Sequence, residues 1–319
     1  MSDAASFDRD VGPLLPGAGA VPRVRVVLEF LKPVTWFPPM WAFLCGAVSS
    51  GVPLGERWPL LLAGIVLAGP LVCAMSQAVN DWHDRHVDAI NEPDRPIPSG
   101  RLPGRWGYAI AWAWTVLSLF WALLIGPWVA LAAIVGIAMA WAYSAPPLRL
   151  KRDGWSGALA CAVSYEGLAW FTGAAVMLGA LPSWPILTIA LLYSLGAHGI
   201  MTLNDFKSVE GDRTTGVRSL PVRYGDATAA RLAAATMAAP QLVVILLLLG
   251  WGAGVHAGLV ALLLVGQAVA MVRLLLRPDV LRADPRGNAA RYNATGVLLF
   301  VSGMMITAHA LGGGLGVAT

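Results

Sequence analysis

The residues best placed to do chemistry in this chain are the acids of Asn80-Asp81-Trp82-His83-Asp84-Arg85-His86-Val87-Asp88. On a helix, Asp81, Asp84 and Asp88 stand at i, i+3 and i+7. At about 3.6 residues per turn they share one stripe. A second copy begins 124 residues later, Asn204-Asp205-Phe206-Lys207-Ser208-Val209-Glu210-Gly211-Asp212. Asn204, Asp205 and Asp212 repeat the spacing of Asn80, Asp81 and Asp88, and Ser208 stands where Asp84 would. Two carboxylate rows at the edge of a low-dielectric region are unfavourable if left bare. Oxygen-only ligands suit Mg2+, which takes one or two carboxylates, waters and phosphate oxygens. Lys32, Arg95, Arg149, Lys151 and Arg218 add cations on the same side. Carboxylates, Mg2+ and Arg/Lys together make a clamp for a diphosphate, stabilising charge that develops as it departs. The implied reaction is ionisation of an allylic diphosphate whose hydrocarbon tail lies among apolar helices. The plainer alternative is that the acids solvate a helix end, with Asn80 and Asn204 as caps. Two copies at matched positions favour the clamp.

The elements that must hold these residues are membrane helices. The chain has 319 residues, 57% hydrophobic and 13% charged, with mean hydropathy +0.66. Spanning a bilayer takes about 20 apolar residues, and the chain offers nine such runs: 34–52, 58–80, 106–125, 127–145, 156–178, 184–204, 228–250, 254–276 and 292–311. A helix bundle satisfies its own backbone hydrogen bonds in lipid; long uninterrupted runs exclude a β-barrel. The expected fold is an all-α polytopic membrane protein of nine transmembrane helices. The 124-residue offset pairs the first span with the fifth and the second with the sixth. That implies a 4+4 pseudo-repeat plus one helix, with halves of about 28–150 and 151–277 inside a transmembrane domain at 28–312. A parallel repeat places its functional groups between the halves. Residues 1–27 read as a disordered cytoplasmic tail without the apolar core of a secretory leader, although Val24 to Leu31 suits a short amphipathic surface helix. Residues 313–319 form a Gly-rich tail.

Charge sets the orientation. Of the 22 Lys and Arg, only Arg57 falls on the side opposite the acidic clusters. That face is therefore cytoplasmic, with the N-terminus inside and the C-terminus periplasmic. Topology thus explains the net charge of +4, and no nucleic-acid partner is expected. Cys45, Cys73 and Cys161 lie in apolar runs at no metal-ligand spacing, and three thiols cannot complete a disulfide framework.

Asn80-Asp81-x-x-Asp84-x-x-x-Asp88 with the later Asp205 and Asp212 resembles the signature of the UbiA-type intramembrane prenyltransferases. Tyr143-Ser144-Ala145-Pro146-Pro147-Leu148-Arg149-Leu150-Lys151 resembles their connection after the fourth helix. Asn91-Glu92-Pro93-Asp94-Arg95-Pro96-Ile97-Pro98-Ser99-Gly100, Ser219-Leu220-Pro221-Val222 and Lys32-Pro33-Val34-Thr35-Trp36 are similar to the chlorophyll and bacteriochlorophyll synthase branch. The resemblance implies transfer of a geranylgeranyl or phytyl group from its diphosphate to the propionate of a bacteriochlorophyllide or chlorophyllide, in a bacterial inner or intracytoplasmic membrane. It implies Mg2+ held by Asp81, Asp84, Asp88, Asp205 and Asp212. The diphosphate would be contacted by Asn80, Arg95, Arg149, Lys151, Asn204 and Arg218. Family members often carry an Asp where Ser208 stands; Glu210 or Asp212 would supply that charge if the helix unwound at Gly211.

Two polar residues within spans complete the candidates. Glu166 lies mid-span, where an ionisable group is a functional candidate by default; it is a candidate pigment-binding residue of the pocket, against the alternative of a hydrogen-bonded structural acid. His198 lies seven residues before Asp205, sharing its face on a helix; it is a candidate ligand for a pigment's central Mg or a packing residue. Tyr143 and Tyr165 are candidates to line the tail pocket. The competing functions are an aromatic-acid prenyltransferase acting on a 4-hydroxybenzoate-like ring, a secondary transporter, whose parallel repeats and acids would look similar, and a non-catalytic pigment-binding partner.

Overall fold

The computed structural model describes residues 21–313; the N-terminal tail before Val21 and the segment after Gly313 lie outside the described residues. The described chain is helical: α1 (Val24–Phe30), α2 (Phe37–Ser49), α3 (Leu54–Ile90), α4 (Trp106–Ile125), α5 (Pro127–Ser144), α6 (Gly154–Leu178), α7 (Trp184–Lys207), α8 (Val209–Thr215), α9 (Leu220–Tyr224), α10 (Asp226–Gly250), α11 (Gly254–Leu276), α12 (Pro278–Ala283) and α13 (Pro285–Gly312). Among the described residues there is no strand. One isolated parallel bridge joins Asp153 to Arg218.

Eight helices (α3 to α7, α10, α11 and α13) are long and apolar enough to cross a membrane. The first of the nine expected spans is present as the shorter α2. The tail expected to be disordered to residue 27 is helical from Val24, because Val26, Val27 and Phe30 pack against the core of α3 and α4.

Local sequence explains where helices start and bend. Proline at the first or second position opens α5, α7, α9, α12 and α13, where its missing N–H costs nothing. Asp153 caps α6 by accepting the Ser156 amide at 3.0 Å. Pro70 inside α3 cannot donate to the helical ladder, and Leu67–Cys73 widens into a π turn there. A second π turn, Val163–Leu168, interrupts α6.

The helices pack around a void. α2 packs closely against the second half of α6, and α7 against α10. Gly173 of α6 has no room for a Cβ against the Phe43 carbonyl, and Gly46 none against that of Trp170. The largest core cluster gathers Trp170, Tyr193, Phe300 and Met304. α4 and α5 form the hairpin expected at Gly126-Pro127-Trp128 and turn large apolar side chains outward: Val116, Phe120, Leu123 and Leu124 are exposed, as a lipid-facing surface requires.

Candidate functional site

The cavity has a volume of about 2090 Å³. A pocket for one small ligand measures roughly 300–1,000 Å³, so this one accommodates two substrates or one very large one. At one end it is lined by Asn80, Asp84 and Asp88 of α3, Asp205 of α7 and Asp212 of α8. Both acidic rows, 124 residues apart in sequence, thus meet across one opening.

The first row is held by cations from other segments. Lys32 Nζ donates to Asp81 Oδ1 at 2.6 Å. Arg95 reaches Asp88 Oδ2 at 2.7 Å and Asp81 Oδ1 at 3.4 Å, while its other two nitrogens grip Glu92 at 2.7 and 2.8 Å. Lys151 Nζ donates to Asp84 Oδ1, with Arg149 at 4.0 Å. Asn80 donates to Asp84 Oδ2 at 3.1 Å. Burial pulls the Lys151 ammonium below its usual range, and the Asp84 carboxylate opposes that. Lys32 and Arg149 both adopt left-handed backbone, φ 49° and 41°. Non-glycine residues rarely do so, and such strain gathers at functional sites.

Asp81 differs from its neighbours. It is 3% exposed and lies behind the cavity wall; its Oδ2 is buried without a partner. Asp84 and Asp88 face the cavity itself.

The second row breaks where the first continues. α7 tightens into a 3-10 turn at Asp205–Lys207, and α8 restarts at Val209. The unwinding expected at Gly211 therefore occurs four to six residues earlier, and Gly211 lies inside α8. Glu210 is exposed and supplies no charge to the cavity. Ser208 replaces no carboxylate either: its hydroxyl and that of Ser219 donate to Asp212 Oδ2 at 3.1 and 2.7 Å. Burial pushes the Asp212 carboxyl above the usual range, and those two hydroxyls oppose the shift.

The remaining candidates separate on position. Glu166, Tyr143 and Tyr165 line the cavity. His198 does not: it is buried against the Trp155 ring, centroids 5.2 Å apart. The cavity stripe of α7 is instead Ala197, Met201 and Asn204, and His198 stands beside that stripe. Arg218 is exposed and does not line the cavity, because its backbone pairs with Arg152 and Gly154 at 2.8 and 3.0 Å.

Asn293 of α13 was not visible as a site residue. It donates to Asn204 Oδ1 at 2.8 Å and lines the cavity. No repeat or motif in the sequence marks it. Lys32 carried one signal, its position just before the first span on the acidic side.

Residues 30–311 match the UbiA prenyltransferase family. The chain is 59% identical over 294 residues to the bacteriochlorophyll synthase 33 kDa chain of Cereibacter sphaeroides, covering 92% of this chain and 95% of that one. It is 36% identical to the chloroplastic chlorophyll synthase of Avena sativa, covering 90% and 76%. A UbiA homologue from Archaeoglobus fulgidus, solved with GPP and Mg2+, superposes with a TM-score of 0.66 at 20% identity, over 88% of this chain and 99% of that one. Two acidic rows around one membrane-embedded cavity are thus the expression, in this sequence, of a shared fold and lineage: the chain is a prenyltransferase and belongs to the UbiA prenyltransferase family.

Proposed function

We propose that this enzyme transfers a geranylgeranyl or phytyl group from its diphosphate to the propionate carboxylate of a bacteriochlorophyllide, forming an ester. The observation that carries this reading is the cavity's size and polarity together. It joins a mouth of acids and cations to an inner wall of Ala68, Ala132, Ala133, Gly136 and Leu168. A charged head and a lipid tail need opposite solvents, and a tetrapyrrole needs width, which small side chains leave open.

The acids fit Mg2+. Asp84, Asp88, Asp205 and Asp212 face the cavity with hard oxygen donors, and Asp81 Oδ2 is buried without a partner. Among the described residues no three His, Cys, Asp or Glu close a cage of their own. That suits an ion which completes its shell with water and substrate phosphate. Bound there, Mg2+ would neutralise charge growing on the departing diphosphate. Arg95, Arg149 and Lys151 flank the same acids and would hold the phosphate oxygens as cations. A propionate is ionised near neutrality, so the acceptor needs alignment rather than a general base. The apolar inner wall would keep water from an ionised allylic group.

Membranes containing the protein, given Mg2+, bacteriochlorophyllide or chlorophyllide, and each diphosphate, should yield prenyl esters separable by chromatography. Prenylation of a 4-hydroxybenzoate-like ring, with no pigment ester formed, would replace the acceptor.

A further inference from the structure

Glu166 is a carboxyl that the chemistry of the mouth does not use. It is 6% exposed and lines the cavity. Its Oε2 is buried with no hydrogen-bond partner, and none of the ion pairs among the described residues includes it. It sits in the π turn Val163–Leu168, and single π turns within α-helices are frequent at functional sites. Gly167 beside it packs so closely on α7 that an added Cβ would lie 2.5 Å from Ser194 Oγ, which fixes that turn of the helix in place. Glu166 is twelve residues into α6, so it lies roughly 18 Å along the helix from the mouth. The other carboxylates that line the cavity, Asp84, Asp88, Glu92, Asp153, Asp205 and Asp212, belong to the mouth.

A carboxyl at that depth, with no cation beside it, is costly to leave unbonded. A prenyl tail is hydrocarbon and offers it nothing. A tetrapyrrole offers carbonyl oxygens on the rim of its macrocycle, and a carboxyl in its acid form has one O–H to donate. We propose that Glu166 is a specificity-determining residue that hydrogen-bonds a rim carbonyl of the acceptor, turning the macrocycle so that its propionate reaches the mouth. The proposal rests on the acceptor assignment above. It gives the acceptor and the prenyl tail separate walls: the acceptor is read by α6, the diphosphate by α3, α7 and α8.

The test compares purified wild type with Glu166→Leu, of similar volume without hydrogen bonds, and Glu166→Gln, which keeps a donor. Acceptor binding is read from quenching of bacteriochlorophyllide fluorescence, and KM is measured for each substrate. Glu166→Leu should weaken acceptor binding and raise acceptor KM about tenfold, the loss expected for one buried hydrogen bond, while KM for the prenyl diphosphate stays within about twofold of wild type on the same scale. Glu166→Gln should recover most of the acceptor affinity. Unchanged acceptor binding in folded Glu166→Leu, or equal losses for both substrates, would overturn the proposal. If wild type itself binds no bacteriochlorophyllide yet prenylates another acceptor, the acceptor assignment falls and takes this proposal with it.

Discussion

Asp84 and Lys151 touch from positions 67 residues apart, at the rim of the cavity. That contact joins an acid of the first row to the connection before α6, and both partners line the site. Asp84→Asn should therefore lower ester formation by about 10²-fold, the scale of losing one electrostatic contact in a preorganised site, with thermal stability nearly intact because Asp84 is partly solvated. Asp81→Asn should behave differently. Asp81 is 3% exposed and paired with Lys32 and Arg95. Substitution breaks ion pairs made at a fully buried carboxylate, so a lower thermal midpoint should accompany the loss of activity. A thermal-shift assay beside the esterification assay separates the two. Asp212 gives the pH prediction. Its carboxyl is raised by burial and held down by Ser219 and Ser208. A raised carboxyl is protonated at higher pH than usual, so activity that needs it ionised falls away on acidification above the ordinary Asp range near 3.9. Ser219→Ala removes one restraint and should move the acid limb of kcat/KM to higher pH. An unmoved limb would mean that Asp212 titration does not control it.

At the scale of elements, the site depends on helices that approach closely and then break. α2 and α6 meet through Gly46 and Gly173, where a methyl group would overlap carbonyls of the partner helix. Gly173→Ala should force the two apart at a cost of about 1–3 kcal/mol, as overpacking does. Gly250→Ala meets nothing within 4 Å and should be neutral or slightly stabilising by helix propensity. Thermal midpoints in one detergent decide between them. The break between α7 and α8 has the opposite purpose. By ending the helix at Asn204 it brings Asp205 and Asp212 into one cavity, although a continuous helix would already place them on one stripe. Beyond the break, Ser208 and Ser219 both donate to Asp212.

For the whole molecule, the question is how many times the chain crosses. α2 has 13 residues, about 20 Å of helix, less than a bilayer core of about 30 Å. Yet Lys32, just before it, pairs with Asp81 at the mouth, and Gly51, just after it, lies against Gly312 at the far end of α13. α2 with its flanking turns therefore connects the two ends of the bundle. Nine crossings are expected, with the N-terminus cytoplasmic, the C-terminus periplasmic and the cavity mouth facing the cytoplasm. Reporters fused to each terminus should be active on opposite faces; both on one face would make α2 a re-entrant segment.

The acidic rows and the membrane class were legible in the sequence because each is periodic or compositional. A stripe at i, i+3, i+7 and a run of 20 apolar residues survive any arrangement of neighbours. Which acid each cation pairs with, the burial of Asp81, the exclusion of His198 and Arg218 from the cavity, and the role of Asn293 were not legible. They depend on which face of a helix its neighbours cover, and on a tightened turn at Asp205–Lys207 that no residue type announces. Sequence determined what kinds of groups this protein brings to a membrane. Tertiary packing decided which of them share one cavity, because contacts across tens of residues are set by close packing between helices and not by spacing within one.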